Sequence, residues 1–117
     1  DGLIRSGMAR LQDAENASLS LDGRFDLAYN AAHALSLAAL RWHGYRSENR
    51  YLVFQTLALT LKIQPEQWRV LSAAHQKRNS VEYEGVAEID EQLVDAIIRV
   101  THEVSKRIDR LGPIKAG

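Results

Sequence analysis

The stretch from Ala73 to Gly85, AAHQKRNSVEYEG, gathers an imidazole, a guanidinium, an amide, carboxylates and a phenol into one short span. His75, Asn79 and Tyr83 are spaced by four, and so are Arg78 and Glu82. On a helix these five side chains fall on neighbouring rows of one half of the surface. An arginine there presents a planar fork of donors that suits a phosphate. An asparagine beside it donates and accepts, so it can orient the arginine or bind a ribose hydroxyl. Arg78, Asn79, His75 and Glu82 are therefore the expected phosphate- or nucleotide-binding set. The same spacing also fits a solvated helix end, where Arg78 and Glu82 would form a surface ion pair worth less than about 1 kcal/mol. On spacing alone the solvated end is the commoner outcome.

The context favours looking further. From Pro65 the chain follows a helical apolar stripe that includes Trp68 and Leu71. At continued helical spacing the next positions are His75, Arg78, Asn79 and Glu82, all polar. The stripe changes from core packing to polar groups while the helix goes on.

A second candidate is RWHGYRSENRY, Arg41 to Tyr51, where Arg41, His43, Arg46 and Arg50 alternate with Trp42, Tyr45 and Tyr51. Basic residues among aromatics suit a single nucleic-acid strand, with charge for the backbone and rings for stacking. Trp42 falls on a core stripe and Glu48 dilutes the charge, so a solvated helix junction is the simpler reading. His33 has no carboxylate three or four residues away and reads as an interior or edge histidine. The chain has no cysteine, which excludes disulfides, thiolate metal sites and cysteine nucleophiles. No metal site, cofactor, nucleophile elbow or glycine-rich phosphate loop is expected.

The elements that must position these groups are helices throughout. The first is expected from about Leu3 to Ala17, with Ile4, Met8 and Leu11 on its apolar face. The second runs from about Gly23 to His43, with Asp22 as N-cap and Gly44 closing it. It carries Phe25, Ala28, Ala32, Leu35, Ala39 and Trp42 along one seam, flanked by Ala31, Ala34 and Ala38. Small residues let other helices approach closely, which makes this helix central. A shorter helix, N-capped by Ser47, carries Val53, Phe54, Leu57 and Leu61 and stops before Pro65. Pro65 opens the helix that bears the polar stretch and ends near Gly85. Asp90 caps the last helix, with Ile89 and Val94 placed as a hydrophobic staple. Its stripe is Leu93, Ile97, Val100, Val104, Ile108 and Leu111, and Gly112-Pro113 ends it.

Residues 1–117 are expected to form one all-α domain, an antiparallel bundle of about five helices joined by short connections. Fifteen basic and fifteen acidic residues cancel, so net charge gives no argument for nucleic acid beyond local patches. No apolar run approaches the ~20 residues of a membrane span. No secretory signal is legible, so a cytoplasmic protein is expected; the chain opens at Asp1, not Met, and its native start is left open.

Three features together resemble HEPN domains, the helical bundles of prokaryotic toxin–antitoxin and defence systems. They are the alanine-rich AYNAAHALSLAALRWHGYR ending at glycine, the Arg78-Asn79 pair late in a later helix, and the long amphipathic closing helix. The likeness spans about Leu3 to Leu111. In the family's ribonuclease members the motif is arginine, a polar residue, three further residues, then histidine. Arg78 matches the arginine and Asn79 the polar position, while Tyr83 stands at the histidine.

The resemblance implies metal-independent RNA chemistry, with arginine on phosphate and histidine in acid–base work. It also implies a homodimer formed through the motif-bearing helices, and possible partnership with a nucleotidyltransferase-type antitoxin. A tyrosine titrates near ~10 and is a poor proton shuttle at neutral pH. The expectation is therefore binding of RNA or a nucleotide phosphate with weak or lost cleavage. One alternative is an active endoribonuclease toxin, with Arg78 and Tyr83 (or His75) as its catalytic positions. Another is a structural or interaction module, with Arg78 and Glu82 as an interface ion pair.

Overall fold

The structure is a computed structural model that describes residues 2–47, 49–84 and 89–111; the side chains of residues 51 and 80–84 lie outside that description. Its described residues form α1 (Gly2–Ala14), α2 (Leu21–Trp42), α3 (Arg50–Gln55), α4 (Leu57–Thr60), α5 (Pro65–Glu84) and α6 (Glu91–Leu111). The short third arm expected from the sequence is α3 and α4 together, broken at Thr56, so the architecture is an all-α bundle of five arms. Among the described residues there is no strand, and no helix is long and apolar enough to cross a membrane.

The alanine-rich helix is central: α2 touches every other helix, most extensively α1 and then α6. Ala28, Ala31, Ala32, Ala38 and Ala39 are buried along it, with Phe25 and Leu35. The packing face of α1 is turned from the expected one. Gly7, Leu11 and Ala14 are buried, Ile4 is half-buried and Met8 is exposed. The cause is close approach at Gly7, where a Cβ would lie 2.8 Å from Leu35 Cγ and 3.4 Å from the Ala31 carbonyl oxygen. Leu35 is fully buried and has nowhere to retreat. Arg24 then ties three helices together. Its Nε donates to the Ala14 carbonyl at the end of α1 (2.9 Å), and its guanidinium pairs with Asp95 of α6 at 3.5 Å.

The caps partly differ from expectation. The N-cap of α2 is Ser20, whose hydroxyl accepts from the Gly23 amide at 3.0 Å, and Asp22 sits inside the first turn. Ser18-Leu19-Ser20 offers several capping hydroxyls, and the one that wins is the residue with extended backbone angles. Ser20→Ala is expected to cost about 1 kcal/mol in urea unfolding, whereas Asp22→Asn, which removes only a favourable dipole charge, costs a few tenths to ~1 kcal/mol. The reverse order would return the cap to Asp22. Likewise α3 is capped by Asn49, which accepts from the Leu52 amide at 3.2 Å, while Ser47 accepts from the Asn49 amide at 3.2 Å.

The first helix ends at Ala14, short of the expected Ala17, while several other boundaries match the expectations. Gly44 adopts φ +88° after α2, α5 opens at Pro65, and Asp90 Oδ1 accepts from the Leu93 amide at 2.7 Å. Ile89 packs against the core that includes Val94. Gly112-Pro113 lies outside the described residues.

After α4, Lys62 takes a left-handed φ of 59°. Arg107 of α6 donates to the Leu61 carbonyl at 2.9 Å and to the Lys62 carbonyl at 2.5 Å, satisfying groups the helix end leaves open. That anchorage ties the segment after α4 to α6.

Candidate functional site

On α2, Phe25, Tyr29 and His33 follow one another at a spacing of four and so stand in one row along the helix. Phe25 and Tyr29 are stacked, with ring centroids 6.2 Å apart. Phe54 of α3 meets both Tyr29 and His33 edge-on, at 5.8 and 6.2 Å between centroids. Tyr29 is 1% exposed, so its hydroxyl needs a partner inside the protein. It finds one in His75 of α5: the hydroxyl and Nδ1 lie 2.9 Å apart, with the rings nearly parallel at 18°.

His75 is in turn bonded to Asn79, whose Nδ2 lies 3.3 Å from Nε2. The chain Asn79–His75–Tyr29 therefore holds the imidazole in place through both ring nitrogens.

Two arginines converge on the same buried ring. The Arg78 guanidinium carbon is 4.9 Å from the Tyr29 centroid and that of Arg50 is 5.5 Å from it. Contacts of this kind contribute roughly 0.5–2 kcal/mol each, more as water is excluded. Stacking engages the flat face of a guanidinium and turns its in-plane N–H donors toward other partners. The Arg50 Nη1 atom is buried and has no hydrogen-bond partner among the described residues.

His33 completes the cluster. Its Nε2 is also buried and has no hydrogen-bond partner among the described residues. Burial, and then the positive charges of Arg50, Arg78 and the nearby His75, push its pKa down from 6.5 to about 4. At neutral pH it is an uncharged imidazole in a cationic setting.

Of the residues singled out from sequence, His75, Arg78 and Asn79 are thus brought together around Tyr29. The side chains of Glu82 and Tyr83 lie outside the described residues. The Arg41–Tyr51 stretch is divided. Arg50 turns inward to Tyr29, while His43 Nε2 bonds the Thr60 carbonyl at 3.0 Å. His43, Tyr45, Arg46, Leu52 and Leu59 line a separate groove of about 540 Å³. His102 of α6 pairs with Glu15 of the α1–α2 turn. Tyr29, His33 and Arg50 were not part of the expected binding set. The signal for the first two was present in the row Phe25, Tyr29, His33, masked by the alanine seam beside it.

Compared with protein-family models, curated proteins and solved structures, the chain matches none of them.

Proposed function

We propose that this domain binds RNA or a nucleotide through a phosphate held at Arg78, as a HEPN-like module in which cleavage is weak or lost. The observation that carries this reading is the convergence of Arg78 and Arg50 on the buried Tyr29 ring. Beside them, His75 and Asn79 are locked by hydrogen bonds. A rigid aromatic platform preorganises guanidinium donors, so little side-chain entropy is lost when an oxyanion enters. The loss of cleavage rests on Tyr83 standing where the family's ribonucleases carry histidine, and on a His75 whose two ring nitrogens are already engaged.

Arg78→Ala is expected to weaken binding of a short 5′-phosphorylated RNA by about ten- to a hundredfold, the value of a charge-assisted hydrogen bond or two. Arg78→Lys should recover part of it, because a point charge replaces the planar fork. Equal affinities for wild type and Arg78→Ala by fluorescence anisotropy would remove the proposal. The homodimer, a toxin–antitoxin or defence setting and a nucleotidyltransferase-type partner belong to the same proposal, supported by the resemblance alone.

A second reading, an interaction module without a nucleotide, is favoured by one observation. Tyr45, Leu52 and Leu59 are exposed at 66%, 49% and 77% beside the apolar groove. Under that reading Arg78→Ala weakens self-association in ultracentrifugation and leaves RNA affinity unchanged.

A further inference from the structure

His33 Nε2 and Arg50 Nη1 are buried polar atoms of the cluster with no hydrogen-bond partner among the described residues, and both belong to residues outside the Arg78-Asn79 motif. They come from different helices, α2 and α3: the Arg50 guanidinium lies over the Tyr29 ring, which Arg78 of α5 shares, and His33 meets Phe54, which also packs on Tyr29. Burying a polar atom without a partner is unfavourable, so each gains from an incoming acceptor. A tetrahedral oxyanion has enough oxygens to accept from several donors at once.

We propose that His33 and Arg50 join Arg78 in holding the phosphate, and that His33 takes up a proton as the phosphate enters. The inference rests on the phosphate-binding reading above. The proton comes from bulk water and goes to the unprotonated ring nitrogen of His33, so that both nitrogens become donors. In the empty site the charges acting on His33 are Arg50 from α3 and Arg78 and His75 from α5. Tyr29 lies one turn away on its own helix, and no charged group of α1, α4 or α6 contributes among the described residues. A bound anion offsets the guanidinium charges and gives the imidazolium a partner, which reverses two of the causes that keep His33 neutral.

The sign of the linkage follows. The free site holds His33 at about 4 and the occupied site holds it higher. Between those two values binding takes up a proton, and affinity rises as pH falls, approaching about tenfold per unit. Above the higher value affinity is flat with respect to His33. The ligand class is therefore an anion whose affinity increases with acidity even when its own charge is constant.

Sulfate is the probe, because its charge does not change over this range, whereas phosphate monoesters titrate with a pKa near ~6. Sulfate is titrated between about pH 5 and pH 8 into wild type, Arg50→Ala, Arg78→Ala, His33→Gln and His75→Gln. Imidazole ¹⁵N shifts are recorded in the wild type with and without sulfate. The expected result is tighter binding at lower pH in wild type, and a His33 ring that changes from neutral to charged on adding sulfate. Binding should be weaker and nearly independent of pH in His33→Gln, and weaker in Arg50→Ala.

A pH dependence that persists in His33→Gln, or that disappears only in His75→Gln, overturns the inference while leaving the phosphate reading standing. So does an unchanged affinity in Arg50→Ala, or a His33 ring that stays neutral with sulfate bound. The wild-type ring shifts decide the matter even if a variant fails to fold. Sulfate binding that is absent, or indifferent to Arg78→Ala, defeats the phosphate reading itself and this inference with it.

Discussion

Tyr29→Ala is expected to destabilise the domain by about 3–5 kcal/mol and to abolish anion binding in the same stroke. The ring is 1% exposed and packs against Phe25, Phe54 and His75. Its removal leaves a cavity where α2, α3 and α5 meet. It also takes away the surface on which Arg50 and Arg78 lie. Tyr29→Phe separates the two roles. It keeps the ring and removes only the hydroxyl bonded to His75, so it should cost nearer ~1 kcal/mol. Urea unfolding measures both variants. A Tyr29→Ala variant within about 1 kcal/mol of wild type would mean that this ring is not the joint between the arms.

The second large effect is on acid stability. In the unfolded chain His33 takes up a proton as pH falls past 6.5, whereas in the folded domain it resists until about 4. The unfolded state binds more protons throughout that window, so stability falls as pH falls across it. The full contribution is present above 6.5 and gone below about 4. Its size is on the order of 2–3 kcal/mol, a large share of a small domain's total. His33→Gln should therefore lose less stability than wild type between neutral pH and about pH 4.5, measured by urea unfolding at each pH. Protonation of carboxylates contributes to both proteins alike, so the difference isolates His33. Parallel stability curves for the two proteins would contradict the burial and cationic setting assigned to this imidazole.

Much of the scaffold was legible because single residues dictate it. Pro65 starts a helix, Gly44 ends one with a positive φ, and Asp90 caps another. The stripe of α6 is regular, and its buried members Ile97, Val100, Val104 and Ile108 were all anticipated. The alanine seam correctly placed α2 at the centre.

Most of the misses originate in contacts between helices distant in sequence, and one in local backbone geometry. The face of α1 depends on Gly7 meeting Leu35, which periodicity within α1 does not contain. The choice of Ser20 over Asp22 depends on backbone angles before the helix. The site shows the same division. His75, Arg78 and Asn79 stood out because they interrupt an apolar stripe. His33 looked like an isolated interior histidine, and Arg50 looked like one charge in a solvated junction. Only the packing of α3 across α2 and α5 brings Arg50 to the Tyr29 ring and Phe54 to His33.

The central claim is that a phosphate sits on Arg78. The most direct test is a crystal structure of the domain with a short 5′-phosphorylated RNA. A phosphate oxygen at about 2.7–2.9 Å from the Arg78 guanidinium, with Arg50 and His33 turned to the same group, is the predicted result. RNA bound only along the Tyr45–Leu59 groove, with no phosphate near Arg78, would contradict it.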